Sequence, residues 1–496
     1  MIRLRCFCIA CLWIPLLAGC GSVVSGNVGN SLKSADPAKD GPSTTGQVNG
    51  SGSTTAGQGP DCGSGTTAQG DNSPARVLLG STHQFTWPST TVWEVNRIPG
   101  GNDVFGTISC TGLYTAPAVV PLNPVVTIIA RLSTGSAFMS ADVGALTGRR
   151  FAYVSSASDN AIEIFVADGK TGTLQPVSVF DVGAGKSPAA LALSPNGNFL
   201  YSLNRGTNDI SVYAVDPSSG NLTNAGSVAV PMGPNAMVFS ARGKFAYVSC
   251  DGASEIAAFA VNLETGSLSP LTGGSYAAGG GRIQSLAIAF DGNFLYAANP
   301  DSNQIIALSV ASDGSLHPIT GSPFPAQPGL SSIVVNEGDY GYGNQNLYAS
   351  SNSGIEAYDR NPVTGVLTYL PSGTQSGAGT SPLLFANTSD GLLIGVDPQS
   401  GGGFSFAFDY LAPTNLSAHL SLGGPPVSTG TAPVAGAWLW GEGDTNWIYV
   451  LNGKTDASAS TGSIGVYPVN YTYGMVASST AIATALHDPT GLVITP

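Results

Sequence analysis

Charge is what this sequence most lacks. Only 9% of its 496 residues are Asp, Glu, Lys or Arg, and acids outnumber bases 30 to 17 for a formal charge of −13. An acidic surface with no basic cluster repels phosphodiester backbones, which excludes nucleic acid as a partner. Histidine is scarcer still, with four residues and no Cys-x-x-Cys or His-x-x-x-His spacing. A zinc-type site therefore has no ligand set, and the Gly-Asp stretches lack the spaced carboxylates of a calcium loop. The glycine triplets Gly279–Gly281 and Gly401–Gly403 precede no helical pattern, so no phosphate cradle is expected. The expectation is a protein with neither metal nor cofactor. Long amphipathic helical periodicity is absent, and so is any apolar run beyond residue 17 long enough to cross a bilayer. What is plentiful is Gly, at 66, and Pro, at 33, set among Ser, Thr and Asn, which is the composition of a turn-rich all-β chain.

The first residues carry Arg3 and Arg5, then an apolar run from Cys6 to Leu17, the length of a signal-peptide core. Its end, Leu17-Ala18-Gly19-Cys20, resembles the lipobox of bacterial lipoproteins. That resemblance makes residues 1–19 a signal peptide and Cys20 the site of lipid attachment, anchoring the protein in the bacterial envelope outside the cytoplasm, in the outer membrane. The alternative is an ordinary secretory signal with an incidental cysteine. After cleavage four Cys remain, Cys20, Cys62, Cys110 and Cys250; with Cys20 acylated, at most one disulfide can form, and Cys62–Cys110 is the pair to test. Cys250, inside a strand pattern, reads as a free buried thiol.

Residues 20–74 contain almost no large apolar side chain, as in "GPSTTGQVNGSGSTTAGQG", and cannot bury enough surface to offset the entropy of ordering. They read as a flexible tether. Alternation returns in residues 75–145 with "TVWEV" and "VVTIIARLS", the pattern of a small β-sandwich. The segment "FGTISCTGLYTAP" resembles a bacterial immunoglobulin-like domain, which implies that Trp93 and Tyr114 are core and corner residues and that the unit is a spacer.

From residue 150 to 496 one unit recurs. The tyrosine of an F/L-x-Y strand stands at Tyr153, Tyr201, Tyr247, Tyr296, Tyr348 and Tyr449, with a degenerate copy at Ile394, at intervals of 46 to 55 residues. That period suits a propeller blade better than a solenoid. A Gly-x-Leu turn recurs at Gly172, Gly220, Gly266, Gly314 and Gly365, where glycine supplies the positive φ between the third and outer strands. Seven copies of four strands predict a seven-bladed β-propeller preceded by the small N-terminal sandwich. The repeat opens on a second strand, "RFAYV", while "DPTGLVITP" matches an innermost strand; the two should pair and close the ring.

The strands "FAYVSS", "FLYSLN" and "IYVLN", with their T-G-x-L turns, resemble the seven-bladed lactonase-like propellers of the 6-phosphogluconolactonase and YVTN type. In enzymes of that family an inner strand typically opens with Pro-Arg-His. Here the openings are Pro188-Ala189-Ala190, Pro234-Asn235-Ala236, Pro382-Leu383-Leu384, Pro433-Val434-Ala435 and Pro489-Thr490-Gly491, without Arg or His. Lactone hydrolysis requires a group that activates water and a donor for the developing oxyanion. Only Arg282 and His487, with Asp488 beside it, approach the channel mouth, and each also reads as a loop or turn residue. His83, His317 and His419 stand elsewhere, Asn204, Asn299 and Asn452 read as turn formers, and Trp438, Trp440 and Trp447 as filling beside the degenerate copy. The preferred reading is a monomeric, noncatalytic binding or interaction module for a protein or glycan, tethered to the membrane through its lipid anchor. The alternative is a lactonase acting on a sugar lactone at the channel mouth.

Overall fold

The computed structural model describes residues 75–495, except 79, 88–89, 97, 119–124, 133–134, 145–149, 290, 338–344, 376–381, 388–391, 399–401, 408–420, 423–426, 431, 440–445, 454–460, 471–473 and 476–480. Cys20, Cys62, His419 and Trp440 lie outside the described residues, and with them the lipid-attachment, tether and Cys62–Cys110 readings.

The first unit is a two-sheet β-sandwich. One sheet runs Ala75–Leu78, Gly135–Gly144, Val125–Leu132, Thr90–Val95 and Ile98–Pro99, and the other Thr82–Gln84, Leu113–Thr115, Gly106–Ile108 and Gly101–Asn102. Trp93, Val95, Ile128 and Met139 of the first sheet meet Phe85, Ile108 and Tyr114 in one core. The Tyr114 hydroxyl donates to the Phe105 carbonyl at 2.6 Å, so the one polar atom of that ring is satisfied where it is buried. Trp93 and Tyr114 are thus both buried in this core. His83 is exposed at the sandwich surface, its ring edge-on to Phe85.

Residues 150–495 form seven antiparallel sheets, each with four sequential positions from the axis outward. The inner strands, in ring order, are Pro489–Ile494, Pro188–Leu193, Pro234–Phe239, Ser285–Ile288, Ile333–Glu337, Leu383–Asn387 and Pro433–Leu439. Each packs beside the next, and the last beside the first, so the ring is closed. Numbering blades in that order, blade 1 joins the two ends of the repeat region. Strand Arg150–Ser156 pairs with Pro489–Ile494 in the register Ala152 to Ile494 and Tyr153 to Val493. Beyond the last pair, the Phe151 amide donates to Thr495 Oγ1 at 2.9 Å and the Thr495 amide returns to the Phe151 carbonyl. The inner edge of Arg150–Ser156 is thereby paired and cannot recruit another chain.

The F-x-Y strand and the Gly-x-Leu turn are two halves of one joint between adjacent blades. Tyr153 of blade 1 donates to the carbonyl of Gly220 in blade 2 at 2.9 Å; Tyr201 reaches Gly266 at 2.8 Å, Tyr247 Gly314 at 3.0 Å, and Tyr296 Gly365 at 2.8 Å. Tyr449 of blade 7 makes the same contact at Gly172 of blade 1, 2.8 Å away. The aromatic residue two before each tyrosine lies flat on the same glycine: a Cβ at Gly220 would sit 2.3 Å from Phe151, and one at Gly172 2.3 Å from Trp447. Glycine is therefore required twice, for φ values of 70° to 86° at these five turns and for the aromatic ring against its Cα. Burial drives the pKa of Tyr153, Tyr201, Tyr247 and Tyr449 above its ordinary value. Blade 6 carries the buried Ile394 at the tyrosine position, opposite Phe385, and at the position two before it blade 5 has Asn346 and blade 6 Leu392, where blades 1 to 4 have Phe and blade 7 Trp. Trp447 is accordingly a clamp between blades, its indole N–H donating to Gly169 at 3.2 Å.

Candidate functional site

Because each second strand runs antiparallel to the inner one, the residues that follow it lie beside the residues that open the inner strand. Pro188, for example, pairs with Asn204. The loops after the second strands and the loops entering the inner strands therefore share one face, the channel mouth. Loop residues with left-handed backbone stitch successive blades there. The Asn160 side-chain carbonyl, at φ 52°, accepts from the Ser187 amide at 2.8 Å, and Asn208, also at 52°, accepts from Gly233 at 2.9 Å. Asn303 repeats the contact with Gly329 at 3.1 Å. Asparagine serves because it tolerates this conformation and carries an acceptor on a short stem.

An open cavity of about 310 Å3 lies on this face, bounded by blades 7, 1, 2 and 3. Ala157, Ala189, Val434 and Pro489 form its apolar wall; Ser187, Asn235, Thr490 and Arg205 supply its polar groups. Thr490 Oγ1 donates to the Pro188 carbonyl at 2.7 Å and lies 3.0 Å from Ser155 Oγ, while Asn235 Nδ2 donates to the Gln284 carbonyl at 2.9 Å. Both side chains thus also brace neighbouring inner strands. The Arg205 loop is pinned by its own backbone: its amide donates to Ser187 at 3.1 Å and that of Gly206 to Lys186 at 3.0 Å. A Cβ at Gly206 would meet the Gly185 carbonyl at 2.0 Å, so only glycine permits this approach.

Cations on this face are held by aspartates. Arg205 Nη2 pairs with Asp251 of blade 3, and Lys186 with Asp209. Burial would raise the Asp209 carboxyl, but hydrogen bonds from Lys186, Thr207 and Asn204 outweigh it and hold the group below its usual range. Arg282 grips Asp301 through Nε at 3.0 Å, Nη2 at 2.9 Å and its backbone amide at 2.8 Å. These bonds raise the guanidinium further and lower the Asp301 carboxyl. The His487 ring lies 3.0 Å from Asp159, its amide donates to the same carboxylate at 2.6 Å, and its carbonyl accepts from Ser158 Oγ at 3.1 Å.

The two sequence candidates are therefore not brought together. His487 serves blade 1 and Arg282 blade 4, three steps around the ring, and neither lines the cavity. Asp488, at φ 40°, is a left-handed turn residue. His317 is exposed on an outer strand beside Ser315. Asn204 bonds Asp209 and Ser211, each at 2.9 Å, and Asn299 caps the Ser302 amide at 3.2 Å, so both organise loops. The polar residue that sequence reading missed is Arg205. Its signal is Asn204-Arg205-Gly206, directly after a second strand rather than at the opening of an inner one. Among the described residues no cluster of three or more His, Cys, Asp or Glu side chains is placed to hold a metal ion.

Comparison with known proteins agrees with this architecture. The sequence matches the family model "Lactonase, 7-bladed beta-propeller" over residues 136–283 and 228–381. The ring is a lactonase-like seven-bladed β-propeller. Among solved structures, this propeller is similar to a periplasmic gluconolactonase of Pseudomonas aeruginosa at 17% identity and a TM-score of 0.57, covering 70% of this chain and 99% of that one. A protein of Bacteroides uniformis, described as a candidate 6-phosphogluconolactonase, is similar at 16% identity and a TM-score of 0.53, over 70% of this chain and 100% of its own. A protein from Lactobacillus plantarum gives 16% and 0.53 over 71% and 100%. At these identities the likeness concerns the fold. No curated protein matches the sequence.

Proposed function

We propose that this protein is a lipid-anchored, extracytoplasmic binding propeller that captures its ligand at the channel mouth without hydrolysing it. The observation that carries the reading is the composition of the mouth cavity: four apolar residues, three neutral polar ones and a single guanidinium already paired with Asp251. Hydrolysis of a lactone calls for a base within hydrogen-bond reach of water and a donor at the oxyanion. Among the described residues that line the cavity, Arg205 supplies a donor and none supplies a free base. Anchorage through Cys20, with residues 21–74 as a spacer, would hold this mouth away from the membrane surface.

The lactonase family match favours a second reading, in which a sugar lactone is hydrolysed at the mouth. Purified full-length protein incubated with 6-phosphogluconolactone and glucono-δ-lactone separates the two. Ring opening no faster than the spontaneous rate is expected. Turnover that disappears in Arg205→Gln, Arg282→Ala or His487→Ala establishes the lactonase and ends the binding-only reading.

A further inference from the structure

We propose that the mouth cavity is a site for a sugar acid, a pyranose-sized ligand whose carboxylate is read by Arg205; the inference rests on the mouth being a binding site. A guanidinium carries five N–H donors in a rigid fork, and Asp251 engages Arg205 through Nη2 alone. The fork is thus positioned by a carboxylate on one side, and Arg205 is one of the residues that line the cavity. Its loop is fixed by the two backbone bonds to Lys186 and Ser187, so little ordering accompanies capture of an anion. The rest of the lining suits hydroxylated carbon: Ser187 and Asn235 offer groups for sugar hydroxyls, and Ala157, Ala189, Val434 and Pro489 offer a face for ring C–H groups. A volume of about 310 Å3 stands at the small end of small-molecule sites and matches one sugar unit rather than a chain. Among the described residues, Lys186 and Arg282, the other cations of this face, are engaged with Asp209 and Asp301 and lie outside the lining. Carboxylate recognition therefore falls to Arg205. A free uronate and a uronate at the end of a glycan present the same chemistry.

Calorimetric titration of the full-length protein with D-glucuronate, with D-glucose as its neutral counterpart, tests the assignment. Glucuronate should bind at least about tenfold more tightly than glucose, since a charge-assisted hydrogen bond contributes roughly 1.5–3 kcal/mol. Arg205→Gln should lower glucuronate affinity about 10- to 100-fold and leave glucose unchanged. Asp251→Asn, which frees the fork from its competing carboxylate, should raise glucuronate affinity, a gain that a merely structural role for the pair cannot produce. Val434→Trp, at a partly exposed wall position, should abolish both by filling the cavity. Melting curves confirm that each variant is folded, and a uronate-terminated oligosaccharide run beside free glucuronate distinguishes the two sources. Equal affinity for both sugars, insensitive to Arg205→Gln but lost in Val434→Trp, overturns the carboxylate assignment and leaves the mouth as a binding site. Binding of either sugar that survives Val434→Trp overturns both.

Discussion

The joint between blades makes a quantitative prediction at Gly220. Replacing it by Ala imposes two costs: a left-handed backbone for a residue with a Cβ, at φ 72°, and a Cβ placed 2.3 Å from the ring of the fully buried Phe151. The first costs about 1–2 kcal/mol. The second is overpacking, about 1–3 kcal/mol, because the ring is wedged against the turn and has nowhere to retreat. Gly185 is the internal control, since its φ is 78° but a Cβ there would meet nothing within 4 Å. Urea unfolding followed by tryptophan fluorescence should therefore show Gly185→Ala losing about 1–2 kcal/mol and Gly220→Ala roughly 1–3 kcal/mol more, at unchanged m. Adding Phe151→Leu to Gly220→Ala should recover part of that excess, a coupling between residues distant in sequence. Equal losses in the two Gly variants, or strict additivity with Phe151→Leu, would refute the idea that these turns are held by the neighbouring blade.

Tyr247→Phe should cost about 1–3 kcal/mol, because it leaves the Gly314 carbonyl without its buried donor, and the same measurement reads it. Burial raises the Glu163 carboxyl above its usual value despite the hydrogen bond from the Ala485 amide. The folded state therefore holds that proton more tightly, and this contribution to stability falls as pH rises from the ordinary value of 4.5 through the raised one. Glu163→Gln should flatten that part of the urea midpoint-versus-pH curve, whereas an unchanged slope would exclude Glu163 as its source. Cys250, whose thiol burial pushes up to about 12, should resist a thiol reagent at pH 8 until the protein is unfolded. Deleting residues 489–496 should give soluble aggregates by light scattering in place of a compact particle, since Arg150–Ser156 is then an exposed edge.

The fold was legible because its period is written in residues with few substitutes. Tyr153, Tyr201, Tyr247, Tyr296 and Tyr449 recur because each hydroxyl reaches the next blade's turn, and Gly172 to Gly365 recur because a side chain has no room there. The pairing of these two signals was not legible: Tyr449 and Gly172 are 277 residues apart, and a local reading assigns the glycine to its turn alone. The site was harder still. Arg282 and His487 stand out in a chain poor in basic residues, yet both are tied to aspartates of their own blades, Asp301 and Asp159. Arg205 looks like any loop arginine until antiparallel pairing places the end of a second strand beside the start of an inner one.

Closure by Pro489–Ile494 also dictates when the ring can become native. A chain leaving the ribosome, or crossing a membrane amino terminus first, has six complete sheets in hand before the strand that completes blade 1 arrives. Until then Arg150–Ser156 waits with an unoccupied hydrogen-bonding edge, and the partial ring is an arc free to flex at its gap. Maturation is thereby timed to the arrival of the closing strand, and a stall just short of it releases an open arc whose bare edge invites a neighbour's strand.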